Sequence, residues 1–136
     1  MIARAIVIAC LVVAVGGCAR VDNERRAEGL ETALQRYAKM LRWGEYEEAG
    51  KLIRFRDREP VQVDYAALRQ VRVTGYEVVE RIVTPELQEA RVLARISYTP
   101  LDSGVVRTLD DRQLWYYDEE QKFWFLDDDL PTFDLK

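Results

Sequence analysis

The chain has 136 residues, of which 49% are hydrophobic and 32% are charged, and its formal net charge is −4. This length suits one domain with a modest core, and an aromatic content of 10% is too high for a disordered chain. The acidic balance argues against a nucleic-acid-binding protein, which normally has a basic surface. Because the sequence contains no histidine, catalysis and metal binding through imidazole are excluded.

The first 18 residues have the order of features of a secretory signal. Arg4 is followed by an apolar run at 5–15, and two glycines precede Cys18. The uncharged stretch at 5–19 is shorter than the roughly 20 residues that a membrane-spanning helix needs. The segment is therefore predicted to be a cleaved signal rather than a permanent anchor.

The sequence Val15-Gly16-Gly17-Cys18 resembles the lipobox of bacterial lipoproteins. The resemblance implies cleavage between Gly17 and Cys18, attachment of a diacylglyceryl group to Cys18, and usually acylation of its amine with a fatty acid such as palmitate. Several acyl chains, at about 0.8 kcal/mol of membrane affinity per buried CH₂, hold a soluble domain stably at a bilayer. The alternative is an ordinary secretory signal in which the cysteine has no role.

This resemblance also implies a location in the bacterial cell envelope. In lipoproteins of bacteria with two membranes, alanine after the cysteine usually permits transfer outward, so Ala19 favours the periplasmic face of the outer membrane over the inner membrane. We predict a signal peptide at 1–17, a lipidated polar tether at 18–25 and a single domain at 26–136. Cys10 would leave with the signal, so no disulfide is expected.

Helical spacing dominates the first part of the domain. Apolar residues recur three or four positions apart between Glu24 and Arg42 and predict an amphipathic helix that ends at Gly44. A second helix is predicted from Glu45 to Ile53. A short third helix is expected at 64–70, with an aspartate at its first position as N-cap.

After these helices, apolar residues alternate with polar ones, and this period of two predicts four long strands. A change of face at Gly75 indicates a bulge, and the third strand is expected to be irregular around 110–112. The predicted strands cover residues 71–82, 90–99, 105–117 and 122–127. The sequence thus predicts an α+β fold in which two or three N-terminal helices pack on a curved antiparallel sheet of four to six strands.

The helix joint at 43–49 and the tryptophan-bearing hairpin at 114–126 resemble the nuclear transport factor 2-like (cystatin-like α+β) superfamily. The resemblance covers residues 26–126 and implies a cone-like domain whose apolar mouth is an enzyme pocket, a ligand site or merely a core. It also implies dimerisation through the sheet in many members. Small outer-membrane assembly factors share parts of this layout.

Three tyrosines, Tyr37, Tyr76 and Tyr98, are the candidate pocket residues. Enzymes of this superfamily use aspartate, histidine or tyrosine inside the cone. Without histidine, a combination of tyrosine with Asp110 or Asp111 stays open, although no spacing marks these residues as a set. The alternative is that they are core tyrosines, and no catalytic residue is assigned.

The aromatic hairpin supplies the candidate partner surface, formed by Trp115, Tyr117 and Trp124. Consecutive aromatic residues on a strand point to both faces of the sheet, and an exposed apolar patch usually marks an interface. The alternative is cross-strand packing on both faces, with the C-terminal tail at 130–135 covering part of the outer face.

Two charged segments have weaker functional interpretations. The arginines at 54–59 suggest a contact with lipid headgroups, but interleaved acids favour a solvated turn. Three aspartates at 127–129 suggest calcium, yet the ligand spacing of a calcium loop is missing and a solvated strand end is favoured. No cofactor, metal or nucleic acid is predicted.

These patterns predict a lipid-anchored envelope protein that acts as a binding or assembly module. Its expected partners are the membrane, through the N-terminal lipid, and a protein or a second copy through the sheet. One alternative is a small-ligand-binding or isomerase-like pocket enzyme on the same fold. The other is a structural envelope lipoprotein without a ligand.

Overall fold

The computed structural model describes the backbone of residues 2–136 and the side chains of residues 17–136. In this part of the chain, three helices precede four strands: α1 (Ile2–Arg42), α2 (Tyr46–Gly50), α3 (Tyr65–Leu68), β1 (Val71–Val83), β2 (Glu89–Pro100), β3 (Arg107–Asp118) and β4 (Phe123–Leu126). The strands form one antiparallel sheet in the order β1-β2-β3-β4. A long N-terminal helix packs on this open sheet, so the predicted α+β class is confirmed.

Helix α1 supplies one side of the core. Its buried face carries Leu30, Leu34, Tyr37 and Leu41, at the spacing that the sequence predicts. The helix ends as expected at Gly44, where φ is 71° and the Glu45 amide donates to the carbonyl of Met40 at 2.8 Å. Glycine adopts this left-handed conformation without the steric cost that a Cβ atom brings.

The beginning of α1 differs from the prediction. The helix starts at Ile2 rather than near Glu24 and includes the whole predicted tether at 18–25. At 1.5 Å per residue, these eight helical residues span about 12 Å. Except for Gly17, the predicted signal segment lies outside the residues whose side chains are described. Among the described residues, no helix combines the length and the apolar character needed to cross a membrane.

Helix α2 is shorter than predicted because the chain after it pairs with the sheet. The Leu126 amide donates to the carbonyl of Leu52 at 2.8 Å, and the Arg54 amide donates to the carbonyl of Leu126 at 2.9 Å. Ile53 thereby forms a parallel bridge to Leu126 at the edge of β4. In α3, Asp64 is the predicted N-cap, since its side chain accepts a hydrogen bond from the Ala67 amide at 3.0 Å.

The sheet matches the predicted alternation most closely in β2, where every second residue from Ala90 to Tyr98 is buried. The predicted irregularity at Gly75 is confirmed by a shift of register between Val73 and Gly75. The irregularity expected at 110–112 is wrong. Strand β3 pairs with β2 in unbroken register through this segment.

Two isoleucines test the assignment of the core. Ile96 on β2 is fully buried, whereas Ile82 on β1 is 58% exposed. We expect Ile96→Ala to lower the free energy of unfolding by about 2–5 kcal/mol, because it removes buried methyl groups and leaves a cavity. The matched Ile82→Ala change should cost less than about 1 kcal/mol. Urea unfolding measures both values, and equal losses would contradict the assignment.

Candidate functional site

The predicted partner surface lies largely inside the protein. Trp115 and Trp124 are 0% and 1% exposed, because side chains of their parity point towards α1 rather than away from the sheet. The Trp124 indole donates to the carbonyl of Arg26 at 2.8 Å and lies against Gly29. Tyr117 is half-buried beneath the Arg26 guanidinium, 4.7 Å from its ring centre. The prediction of an exposed aromatic surface is therefore wrong for both tryptophans.

The other face of the hairpin is covered by arginines. Tyr116 and Phe125 are opposite one another across β3 and β4. Arg56 lies 4.5 Å from the ring centre of Tyr116, and Arg54 lies 4.9 Å from that of Phe125. The alternative of packing on both faces of the hairpin is therefore confirmed, but the part of it that placed the C-terminal tail on this face is wrong. The tail packs on the helix side, where Phe133 contacts a core tyrosine of β2.

Each arginine of segment 54–59 forms an ion pair. Arg54 bonds to Asp118 at 3.0 Å, and Arg58 bonds to Asp129 at 3.0 Å. Arg56 bonds to two carboxylates, those of Glu89 and Asp127, at 2.7 Å each. The segment is thus an exposed bend, as expected, and stacking and ion pairs also hold it against the hairpin, so its arginines are not a free basic surface.

The structure brings two of the three candidate pocket tyrosines together. The rings of Tyr37 and Tyr76 meet edge to face, with centroids 6.4 Å apart. Gln113 donates to the Tyr76 hydroxyl at 2.9 Å and to the Asp111 carboxylate at 2.7 Å. Tyr98 is not part of this cluster, since its hydroxyl accepts from the backbone amide of Asp134.

This polar cluster is tightly packed. Gln113 is buried and also accepts from the Trp115 indole at 3.0 Å. The Tyr37 hydroxyl is buried and has no hydrogen-bond partner among the described residues. Burial raises the pKa of Tyr37 and of Tyr76 well above the usual value for tyrosine, so neither phenol is activated as a base. Burial likewise raises the pKa of Asp111 to about 6.

Sequence reasoning does not single out Gln113. One signal is present, because Asp111 and Gln113 share the strand parity of Trp115 and so lie on the core side of β3. Polar residues at such positions need partners within the core. Here the amide satisfies this need by linking Tyr76, Asp111 and the Trp115 indole.

The cavity with room for a ligand lies elsewhere, between segment 60–65 and the C-terminal segment 129–135. We call it the groove. Its volume is about 650 Å³, within the range of roughly 300–1,000 Å³ that is typical of ligand sites. Its lining is mostly apolar and includes Ile53, Phe55, Pro60, Val61, Val63, Tyr65, Leu68, Leu130, Pro131, Phe133 and Leu135.

The charged residues of the groove are mostly engaged elsewhere. Arg54 and Asp129 line it, but both form the ion pairs described above. Asp64 forms no ion pair with a described residue, although it caps α3. The Tyr65 hydroxyl lies 2.5 Å from the place where a Cβ atom on Gly50 would be, so a side chain at this position would displace the end of the tyrosine. The groove therefore offers apolar contacts and one unpaired carboxylate.

The sequence contains the groove's apolar tail residues but does not indicate their location. Their apolar pattern suggests a place for Leu130, Pro131 and Phe133 on the outer face of the hairpin. The two valines at 61 and 63 give no signal, because an alternation of two residues after a proline is too short to indicate a surface. Only the packing of two distant segments against each other creates the site.

No group of three or more cysteine, aspartate or glutamate residues in the described part of the chain is placed to hold a metal ion. No protein-family model matches the sequence. No curated protein and no solved structure gives a significant match. The function is therefore inferred from the groove and from the polar cluster themselves.

Asp111 should make stability depend on pH. Its pKa rises from 3.8 to about 6 on folding, so ionisation above pH 6 opposes the folded state, and stability is lost as the pH rises through 6. We expect Asp111→Asn to raise the free energy of unfolding by about 1–2 kcal/mol at pH 8 and to have little effect at pH 4.

The neighbouring Asp110 provides the matched control for this measurement. Arg95, directly opposite on β2, lowers the pKa of Asp110 by hydrogen bonding. Asp110→Asn should therefore slightly lower stability at pH 8, where the ionised carboxylate favours the folded state. Urea unfolding between pH 4 and pH 8 compares the two variants. A loss of stability at pH 8 in Asp111→Asn would contradict the assignment.

Proposed function

We propose that this protein is a lipid-anchored bacterial envelope protein that acts as a binding or assembly module and that the groove is its binding site. The observation that carries the proposal is the apolar groove of about 650 Å³, which is open between two segments without helix or strand. An accessible apolar concavity of this size usually marks a site for a ligand or partner.

The lipid anchor rests on the sequence at 1–18, which resembles a signal ending in a lipobox. The exposure of Cys18 supports the proposal, because an acyltransferase needs access to the thiol. Its neighbours Gly17, Ala19 and Arg20 are also exposed. In this proposal the helical turns at 18–25 separate the domain from the bilayer surface by about 12 Å at most.

The proposal includes a cone-like domain related to the nuclear transport factor 2-like superfamily. The two register shifts in β1, at Gly75 and before Glu80, support a bent sheet, since bulges increase local twist. A homodimer through the sheet belongs to the same proposal.

A pocket enzyme is the second candidate, and one observation favours it. Asp111 has a pKa of about 6 and is linked to Tyr76 through Gln113, and a perturbed carboxyl group beside a phenol is typical of acid–base sites. The closed packing around Tyr37 weighs against it. We therefore rank binding above catalysis and assign no catalytic residue.

The anchor is tested by labelling cells with palmitate. We expect the wild-type protein to be labelled and to sediment with membranes, and Cys18→Ser to lose both properties. Cys10→Ser is the matched control, since it changes the other cysteine of the sequence and should retain both. Unchanged labelling of the Cys18→Ser variant would rule out the anchor.

The groove is tested with the fluorescent probe 8-anilinonaphthalene-1-sulfonate, an anion whose aromatic rings bind apolar sites. The full chain is held in phosphatidylcholine nanodiscs, and the signal of empty discs is subtracted. We expect saturable binding that Val61→Asp weakens at least fivefold, because a carboxylate then occupies the apolar lining. Val61 is 57% exposed, and the control Val106→Asp changes a valine that is 65% exposed and lies outside the groove.

Binding that Val106→Asp weakens as much as Val61→Asp does would show that the probe binds elsewhere. An absence of saturable binding to the wild-type protein would refute the groove as a ligand site.

A further inference from the structure

We propose that Asp111 and Asp128 form a proton-dependent latch between β3 and the C-terminal wall of the groove, segment 129–135. A proton held between the two carboxylates keeps this wall against the sheet, and loss of the proton loosens it. The proposal rests on the proposed function, in which the groove is a binding site, and adds how that site is regulated.

The pairing of β3 with the chain after β4 sets the direction of the Asp128 side chain. This pairing continues one residue beyond β4, because the Asp127 amide donates to the Leu114 carbonyl at 2.8 Å. The Asp127 carboxylate bonds to Arg56 on the outer face of the hairpin. Since side chains alternate along an extended chain, Asp128 points to the core side.

Asp111 lies on the same side of the sheet, two positions before the buried Gln113. The register of the hairpin, continued to residue 128, brings Asp128 level with Gln113. The two carboxylates are therefore diagonal neighbours on one face. The charges of both add to the effect of burial in raising the pKa of Tyr37, because both carboxylates face the same part of the core.

No cation balances this pair among the described residues, since neither Asp111 nor Asp128 forms an ion pair with any of them. Helix α1 presents the phenol of Tyr37, β1 presents that of Tyr76, and β2 presents Ala94 opposite Asp111. Two like charges that are close together and lack a counter-ion oppose each other's ionisation. One carboxyl group therefore retains its proton at a pH at which an isolated aspartate has lost it.

Asp111 is the member of the pair that holds the proton. Burial raises its pKa to about 6, the hydrogen bond from Gln113 opposes this shift, and the charge of Asp128 adds to it. The protonated carboxyl group can donate to the carboxylate of Asp128, and such a charge-assisted hydrogen bond is stronger than one between neutral groups. Above pH 6 the donor is lost and the two charges repel each other.

This repulsion acts at one end of the C-terminal wall. Asp129 and Leu130 directly follow Asp128 and line the groove. At the other end, the Asp134 amide donates to the Tyr98 hydroxyl at 3.1 Å. Loosening of the first attachment lets the apolar residues of this wall move away from those of segment 60–65, so the groove binds apolar ligands less tightly.

The test is hydrogen exchange of single amides, measured by mass spectrometry at pH 5 and pH 8 on the full chain in phosphatidylcholine nanodiscs. Rates are corrected for the intrinsic effect of pH. The amides of Asp127 and Asp134 report on the two ends of the wall, and that of Ile96 in β2 reports on global unfolding. We expect both wall amides to be less protected than Ile96 and to lose protection at least fivefold between pH 5 and pH 8.

Protein variants locate the effect. Asp111→Asn removes the titrating group and Asp128→Asn removes the repulsion, so each should abolish most of the loss of protection at the wall. The matched control Asp110→Asn changes the neighbouring carboxylate on the outer face, opposite Arg95, and should retain the loss. Wild-type protein should also bind the anilinonaphthalene probe at least threefold more tightly at pH 5 than at pH 8, beyond any difference seen in Asp111→Asn.

Three outcomes would overturn the proposal. The response of the wall amides to pH could persist in Asp111→Asn or in Asp128→Asn. The loss of protection could be confined to Ile96, which would mean that the lost proton destabilises the core without loosening the wall. The affinity for the probe could change equally in wild type and Asp111→Asn, and the latch would then not regulate the groove. The expected exchange without probe binding at either pH would support the latch and reject the groove as a ligand site.

Discussion

The parallel pairing of residues 52–54 with the edge of β4 sets the path of the chain between α2 and α3. Its two backbone hydrogen bonds to Leu126 end α2 and cover an edge that would otherwise expose unpaired groups. They also direct the next residues around the hairpin, so that Arg54 and Arg56 stack on its outer aromatic face. The chain then continues without helix or strand to Asp64 and forms the first wall of the groove.

Strand parity explains why two adjacent carboxylates behave in opposite ways. Asp110 points away from the core and is opposite Arg95, which forms an ion pair with it at 2.9 Å and lowers its pKa. Asp111 points to the core side, forms no ion pair with a described residue and has its pKa raised by burial. A single step along β3 thus changes a stabilising negative charge into a destabilising one. The hydrogen bond from Gln113 offsets part of the cost of burying Asp111.

Features that depend on local sequence could be predicted, and those that depend on distant segments could not. Four features arise from residues that are close in the sequence. These are the apolar stripe of α1, the glycine at its end, the N-cap Asp64 and the alternation of buried and exposed residues in β2. The cover of the aromatic hairpin does not arise in this way, because Arg56 and Tyr116 are 60 positions apart in the sequence. The run of consecutive aromatic residues shows that both faces of the hairpin are apolar. It does not show which segment of the chain covers each face. The groove could not be predicted for the same reason, since its walls at 60–65 and 129–135 are far apart in the sequence.

The covered hairpin and the open groove depend on the same ion pairs. Arg54 and Arg56 take their partners from the hairpin and from Glu89, which holds the segment after α2 against the outer aromatic face. Arg58 takes its partner from Asp129, which lies at the beginning of the opposite wall of the groove. This ion pair joins the two segments whose apolar residues line the groove, so the contacts that cover the hairpin also fix the position of the first wall relative to the second.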